Sequence, residues 1–136
     1  LAALGRRLWD GSGILYLGTT RADGSPRVHP TCPRIVDGRI LLAIPRRSSK
    51  GHDLLRDPRC VLHATPGERD DELLVRGRAE PVPAHDALRA GGAHWTRDDD
   101  RVFEVHVDRV DVGWWERVGQ PDTAPVRHVW RAPSHM

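Results

Sequence analysis

The sequence predicts a mainly β protein, a six- to seven-stranded antiparallel barrel with short flanking helices. Three observations predict it. Asp-Gly pairs at Asp23-Gly24 and Asp37-Gly38 separate apolar, β-branched runs, as hairpin turns do. The run Arg101–Val112 alternates with period two, with Val102, Glu104, His106 and Asp108 on one side and Phe103, Val105 and Val107 on the other. Helical patterns interrupt the strands only after the third and the fifth, too seldom for βαβ units.

The elements follow in chain order. Leu1, Leu4, Leu8 and Trp9 at helical spacing predict the end of an N-terminal helix, closed by Asp10 to Gly13. Ile14–Thr20 is the first strand, and Arg21–Pro26 its turn. Arg27–Val36 is the second strand. Its Pro30 and Pro33 cannot donate to a ladder, so it must lie at an edge, bulge, or break where a ligand approaches. Arg39–Ile44 is the third strand. Gly51 to Arg59 then reads as a short helix ended by Asp57-Pro58. Cys60–Thr65 is the fourth strand, Pro66–Asp71 a polar loop, and Glu72–Val82 the fifth strand, with Gly77 marking a bend or bulge. Pro83–Gly92 reads as a helix stopped by paired glycines. Arg101–Val112 is the sixth strand, Val126–Trp130 a possible seventh, and Pro133–Met136 a tail.

Composition narrows the function classes. A chain of 136 residues with 38% hydrophobic residues suits one domain, residues 1–136, with its own core. A formal charge of +2, with acids interleaved among the cations, argues against nucleic acid as a partner. No apolar run is long enough to span a bilayer, and no signal peptide is visible, so membrane is not an expected partner and a cytoplasmic location is expected. Cys32 and Cys60 form no CxxC motif; each falls in a predicted strand, which suggests buried, reduced thiols. The eight histidines show no HExxH pattern or zinc spacing, so no metal site is expected.

The chain is organised around Ile44–Arg59. An apolar strand runs into Arg46, Arg47, Ser48, Ser49 and Lys50, and then into a helix. Backbone N–H groups and cations at such a junction suit an anion, most often a phosphate. Solvated surface cations are the competing reading, and spacing alone leaves both open.

The stretches Thr19–Pro30 and Asp37–Ala64 resemble the pyridoxamine 5'-phosphate oxidase-like family of FMN-binding split β-barrel proteins. The hairpin DGSPRVHP and the turn-helix SSKGHDLLRDPR carry the resemblance. The strand RGRAE and the Trp114-Trp115 pair followed by VRHVW agree with it. The resemblance implies an antiparallel split β-barrel acting as a homodimer, with FMN at the subunit interface and a small organic substrate. It implies that Arg27, Lys50 and Ser49 hold the flavin phosphate, with Arg46 a further candidate. It implies that His29, Pro30 and Thr31 line the isoalloxazine. Trp115 and Arg127 resemble the positions that reach the cofactor or substrate of the partner subunit.

Three departures separate this chain from the oxidase proper. Cys32 stands where the family's second-strand motif ends in lysine, Glu72 falls near a flavin-contacting glutamine, and VRHV replaces a longer substrate motif. They fit a short, divergent branch that includes flavin reductases and enzymes using a deazaflavin coenzyme. The expected function is a flavin-dependent oxidoreductase, with no acid or base residue assigned. The alternatives are a deazaflavin-dependent reductase, a non-catalytic flavin or haem binder with His29 or His63 as haem ligand, and an interaction barrel.

Overall fold

The computed structural model describes residues 2–67, 70–83 and 97–134. Its order is α1 (Ala2–Ser12), β1 (Leu15–Thr20), β2 (Pro26–Thr31), β3 (Arg34–Val36), β4 (Arg39–Pro45), α2 (Ser49–Arg56), β5 (Arg59–His63), β6 (Glu72–Val82), β7 (Asp100–Glu116) and β8 (Ala124–Arg131). All strand pairs are antiparallel, in the order β2-β1-β5-β6-β7-β4-β3, with β8 beside the far half of β7.

The expected single strand Arg27–Val36 is two strands, which raises the count among the described residues to eight. Pro33 supplies no N–H, and the chain leaves the ladder at Cys32-Pro33. The two pieces then join opposite ends of the sheet. Only two residues connect those ends, so the sheet must curl until its edges are neighbours in the chain without pairing. That is a split barrel. The break also corrects the reading of Cys32, which is exposed and outside any strand, whereas Cys60 is buried in β5. Burial pushes the Cys60 thiol up to about 12. A thiol reagent should therefore titrate one cysteine in the native protein and both after denaturation. Two equivalents reacting equally fast under native conditions would contradict this packing.

The turns follow their sequences. Asp37 and Gly38 both take positive φ, 50° and 75°, as a type I′ hairpin requires. Gly13, at φ 63°, ends α1. The core lies on one sheet face, where Leu15, Leu17, Leu42, Ile44, Leu62, Leu73, Val75 and Phe103 pack with Leu54 of α2 and Leu8 of α1. Val102 was expected on a polar face with Glu104. It is buried instead, in a second small cluster with Leu41 and Val82, so both faces of this end of the sheet are covered.

Strand β7 runs four residues beyond its expected end and carries both Trp114 and Trp115. The register of β6 on β7 shifts between Arg76 and Gly77, where Asp108 is the extra residue. The bend expected at Gly77 is this bulge. The helix expected over Pro83–Gly92 lies, beyond Pro83, outside the described residues. No helix of the described residues is long and apolar enough to cross a membrane.

Candidate functional site

The site is built where α2 lies against the edge strand β2. In an antiparallel ladder, residues directly opposite one another point to the same side. Arg27, His29 and Thr31 stand opposite Thr19, Leu17 and Leu15, so they face the core side with α2. Val28 and Pro30 face outward with Gly18 and Tyr16. Thr31 is buried and His29 half-buried.

Asp53 is the anchor, and sequence reasoning passed over it. It is 2% exposed, one turn after Lys50 on α2. Its Oδ2 accepts from Thr19 Oγ1 at 2.8 Å and from Arg27 Nε at 2.7 Å, and its Oδ1 accepts from Arg56 Nη2 at 3.0 Å. Burial alone raises the Asp53 pKa, but the hydrogen bonds from Thr19, Arg27 and Arg56 outweigh it and hold the carboxyl below the usual Asp range. The signal that could have found it was the i, i+3 pair Asp53 and Arg56 facing an arginine-bearing strand. Arg27 is thus the counter-ion of a buried carboxylate. The bond uses Nε, which leaves the Nη edge of the guanidinium fork to point elsewhere.

Lys50 supplies the second cation. Its Nζ donates to the Pro30 carbonyl at 2.9 Å. That oxygen is available because β2 is an edge strand paired only with β1. Burial lowers the Lys50 pKa, and the Cys32 thiol nearby acts in the opposite direction. Lys50 and Asp53 share one helix face, and Pro30 and Arg27 share one strand, so both cations are brought to the seam between β2 and α2.

Ser49 and Lys50 lie in the first turn of α2 rather than in a preceding loop, because the helix begins at Ser49. Ser48 is the N-cap, and its side chain makes no capping hydrogen bond. Among the described residues the first-turn N–H groups of α2 thus have no capping side chain, which suits an anion. Gly51 packs closely behind them: a Cβ there would sit 3.1 Å from Ile44 Cγ2, and that buried side chain would have to give way by a few tenths of an ångström. Arg46 is exposed, and its N–H donates to the Asp99 carbonyl, beside the acidic run Asp98–Asp100.

Trp115 and Arg127 stand elsewhere, on β7 and β8, with β1, β5 and β6 between them and β2. Arg127 Nη2 lies 3.5 Å from Glu72 and its Nη1 4.0 Å from the buried Asp111. Arg109 holds the Asp111 carboxyl below the usual range, against the effect of burial. The register puts Arg127 on the same outward face as Glu72. Trp115 is 40% exposed, while Trp114 stacks on His128 with ring centroids 5.5 Å apart. One chain does not bring this pair to Arg27 and Lys50.

A family model described as pyridoxamine 5'-phosphate oxidase matches residues 5–129. The chain belongs to this family. Comparison with curated proteins gives no match. Among solved structures, a heme binding protein from Mycobacterium smegmatis is 22% identical with a TM-score of 0.63. That match covers 93% of this chain and 57% of the other, so the oxidase-family chain spans little more than half of it. PhzG from Burkholderia lata 383, solved with tetrahydrophenazine-1-carboxylic acid, is 12% identical with a TM-score of 0.66, covering 93% and 90% of the two chains. General Stress Protein 26 from Bacillus anthracis is 16% identical with a TM-score of 0.66, covering 79% and 89%. At these identities the likenesses show the shared fold.

Proposed function

We propose that this oxidase-family chain is a flavin-dependent oxidoreductase that holds FMN, or a deazaflavin coenzyme, by its phosphate at the seam between β2 and α2. The carrying observation is the convergence of Arg27 and Lys50 on that seam, beside an uncapped helix N-terminus. The residues present fit a phosphate. The N–H groups of the first turn and the hydroxyl of Ser49 donate, Lys50 supplies a charge, and the Nη edge of Arg27 supplies a fork. Arg46 has the weaker claim, since its turn is bonded to the acidic loop. When bound, a flavin supplies hydride transfer; the protein supplies orientation and the exclusion of water.

In this reading two chains form a homodimer. The outward face bearing Trp115 and Arg127 meets the partner's coenzyme and a small organic substrate. His29, Pro30 and Thr31 contribute backbone beside the ring, since the Thr31 side chain is turned into the protein.

Lys50→Ala should weaken FMN by about tenfold to a hundredfold and riboflavin much less, because riboflavin has no phosphate. Isothermal titration with both ligands tests it, and equal losses would place the phosphate elsewhere. A haem-binding role is the second reading, prompted by the Mycobacterium smegmatis likeness. His63 offers a ring nitrogen for it: Nδ1 lies 2.6 Å from the Ala64 carbonyl, which leaves Nε2 pointing toward Glu72 at 3.9 Å. A visible spectrum after soaking separates the two, by flavin bands or a Soret band.

A further inference from the structure

A cleft of about 640 Å³ opens between α1 and the core-side face of β6, β7 and β8, away from the β2–α2 seam. Trp9 and Trp130 line it, with a floor of Leu73, Val75, Val110 and Val112. Its volume falls in the range of small-molecule sites. Trp130 is 52% exposed at the rim, beside the exposed Ile35 and Val129. Among the described residues, the polar side chains that line the cleft are Arg6 and His128, both able to donate hydrogen bonds, and no carboxylate lines it. Arg6 uses Nε on Asp10 at 3.1 Å, which leaves its Nη groups available, and His128 is held in place by its stack on Trp114. The cleft is therefore apolar, with two indoles in its lining, hydrogen-bond donors at its polar points, and one guanidinium, that of Arg6, paired through Nε alone.

We propose that this cleft is a second ligand site, separate from the coenzyme site, for an apolar ring system carrying one anionic group. Flat rings lie against Trp9 and Trp130, and the anion meets Arg6. Neutral hydrocarbons fit the walls but leave the donors unmatched.

The probe is 8-anilinonaphthalene-1-sulfonate, compared with the uncharged N-phenyl-1-naphthylamine, by fluorescence titration of the full chain. One sulfonate probe should bind per chain, about tenfold tighter than its neutral counterpart. Arg6→Gln should erase that preference. Gly5 stands in the cleft wall, and a Cβ there would meet Leu73 and Val112 at an ordinary 3.7 Å. Gly5→Ala should then keep binding, while Gly5→Leu projects into the cleft and should reduce affinity by about tenfold or more. Gly5→Ala should retain the wild-type melting temperature or exceed it, since glycine is the poorer helix former, whereas the bulk of Gly5→Leu beyond its Cβ presses on Leu73 and Val112 and should lower it by roughly a few degrees. FMN titration should be unchanged in both, which separates failure here from failure of the coenzyme reading. Absence of one-to-one binding, or equal affinity of Gly5→Leu and wild type, overturns the proposal. So does loss of dimer mass by light scattering as the probe binds, which would make the cleft the seat of a second chain.

Discussion

Gly77→Ala should lose about 3 kcal/mol of folding stability, read as a fall in the urea midpoint at unchanged slope. A Cβ at Gly77 would lie 2.2 Å from the His106 carbonyl oxygen and 3.0 Å from its carbonyl carbon. Both are backbone atoms of the neighbouring strand at the bulge, so no rotamer change relieves the clash. Either β6 separates from β7 or the bulge at Asp108 reshapes. Gly18→Ala is the control. Its Cβ would meet Val61 Cγ1 at 2.6 Å, a side-chain rather than a backbone atom, so relief needs a χ1 change at one half-buried valine and no separation of strands. It should cost distinctly less. Equal effects would show that the bulge tolerates a side chain.

Asp53→Ala should cost about 2–4 kcal/mol, because it leaves the part-buried Arg27 and the buried Thr19 without their acceptor. For a chain of this size that is on the order of 10 °C in melting temperature. It should also weaken FMN, since Arg27 loses the bond that fixes its fork. Wild type carries the matching pH signature. The folded Asp53 pKa is depressed, so its stabilisation is complete above the unfolded carboxyl value of about 4 and is lost as pH falls through the folded value. Asp53→Ala should flatten that part of the acid-stability profile. A variant as stable as wild type at pH 7 would reduce the carboxylate to a bystander.

The fold was legible where local chemistry decides. The Asp37-Gly38 turn and the bend at Gly77 each depend on near neighbours, and each stands in the structure. The alternation expected of β7 holds only in part, since Val102 is buried and the bulge at Asp108 breaks the period. The prolines of Arg27–Val36 announced an edge or a break, and both occur. What they could not announce is that the two halves join opposite ends of the sheet, because pairing partners far along the chain settle that. The same limit hid Asp53. In sequence it is one acid in a polar helix; only the packing of α2 against β1 and β2 makes it the buried acceptor of Thr19 and Arg27.

By itself the sequence determined a mainly β chain, its hairpins, and a cationic, hydroxyl-bearing turn over Arg46–Lys50 leading into a helix. Those features follow from backbone sterics and the spacing of charge along a few residues. Tertiary structure alone decided that Lys50 reaches the Pro30 carbonyl, that Arg27 is shared with Asp53, and that Trp115 and Arg127 face outward on another part of the sheet. The reason is that an anion site needs donors converging in space, and the donors here come from a strand and a helix brought together by burying Leu54 and its neighbours in the core.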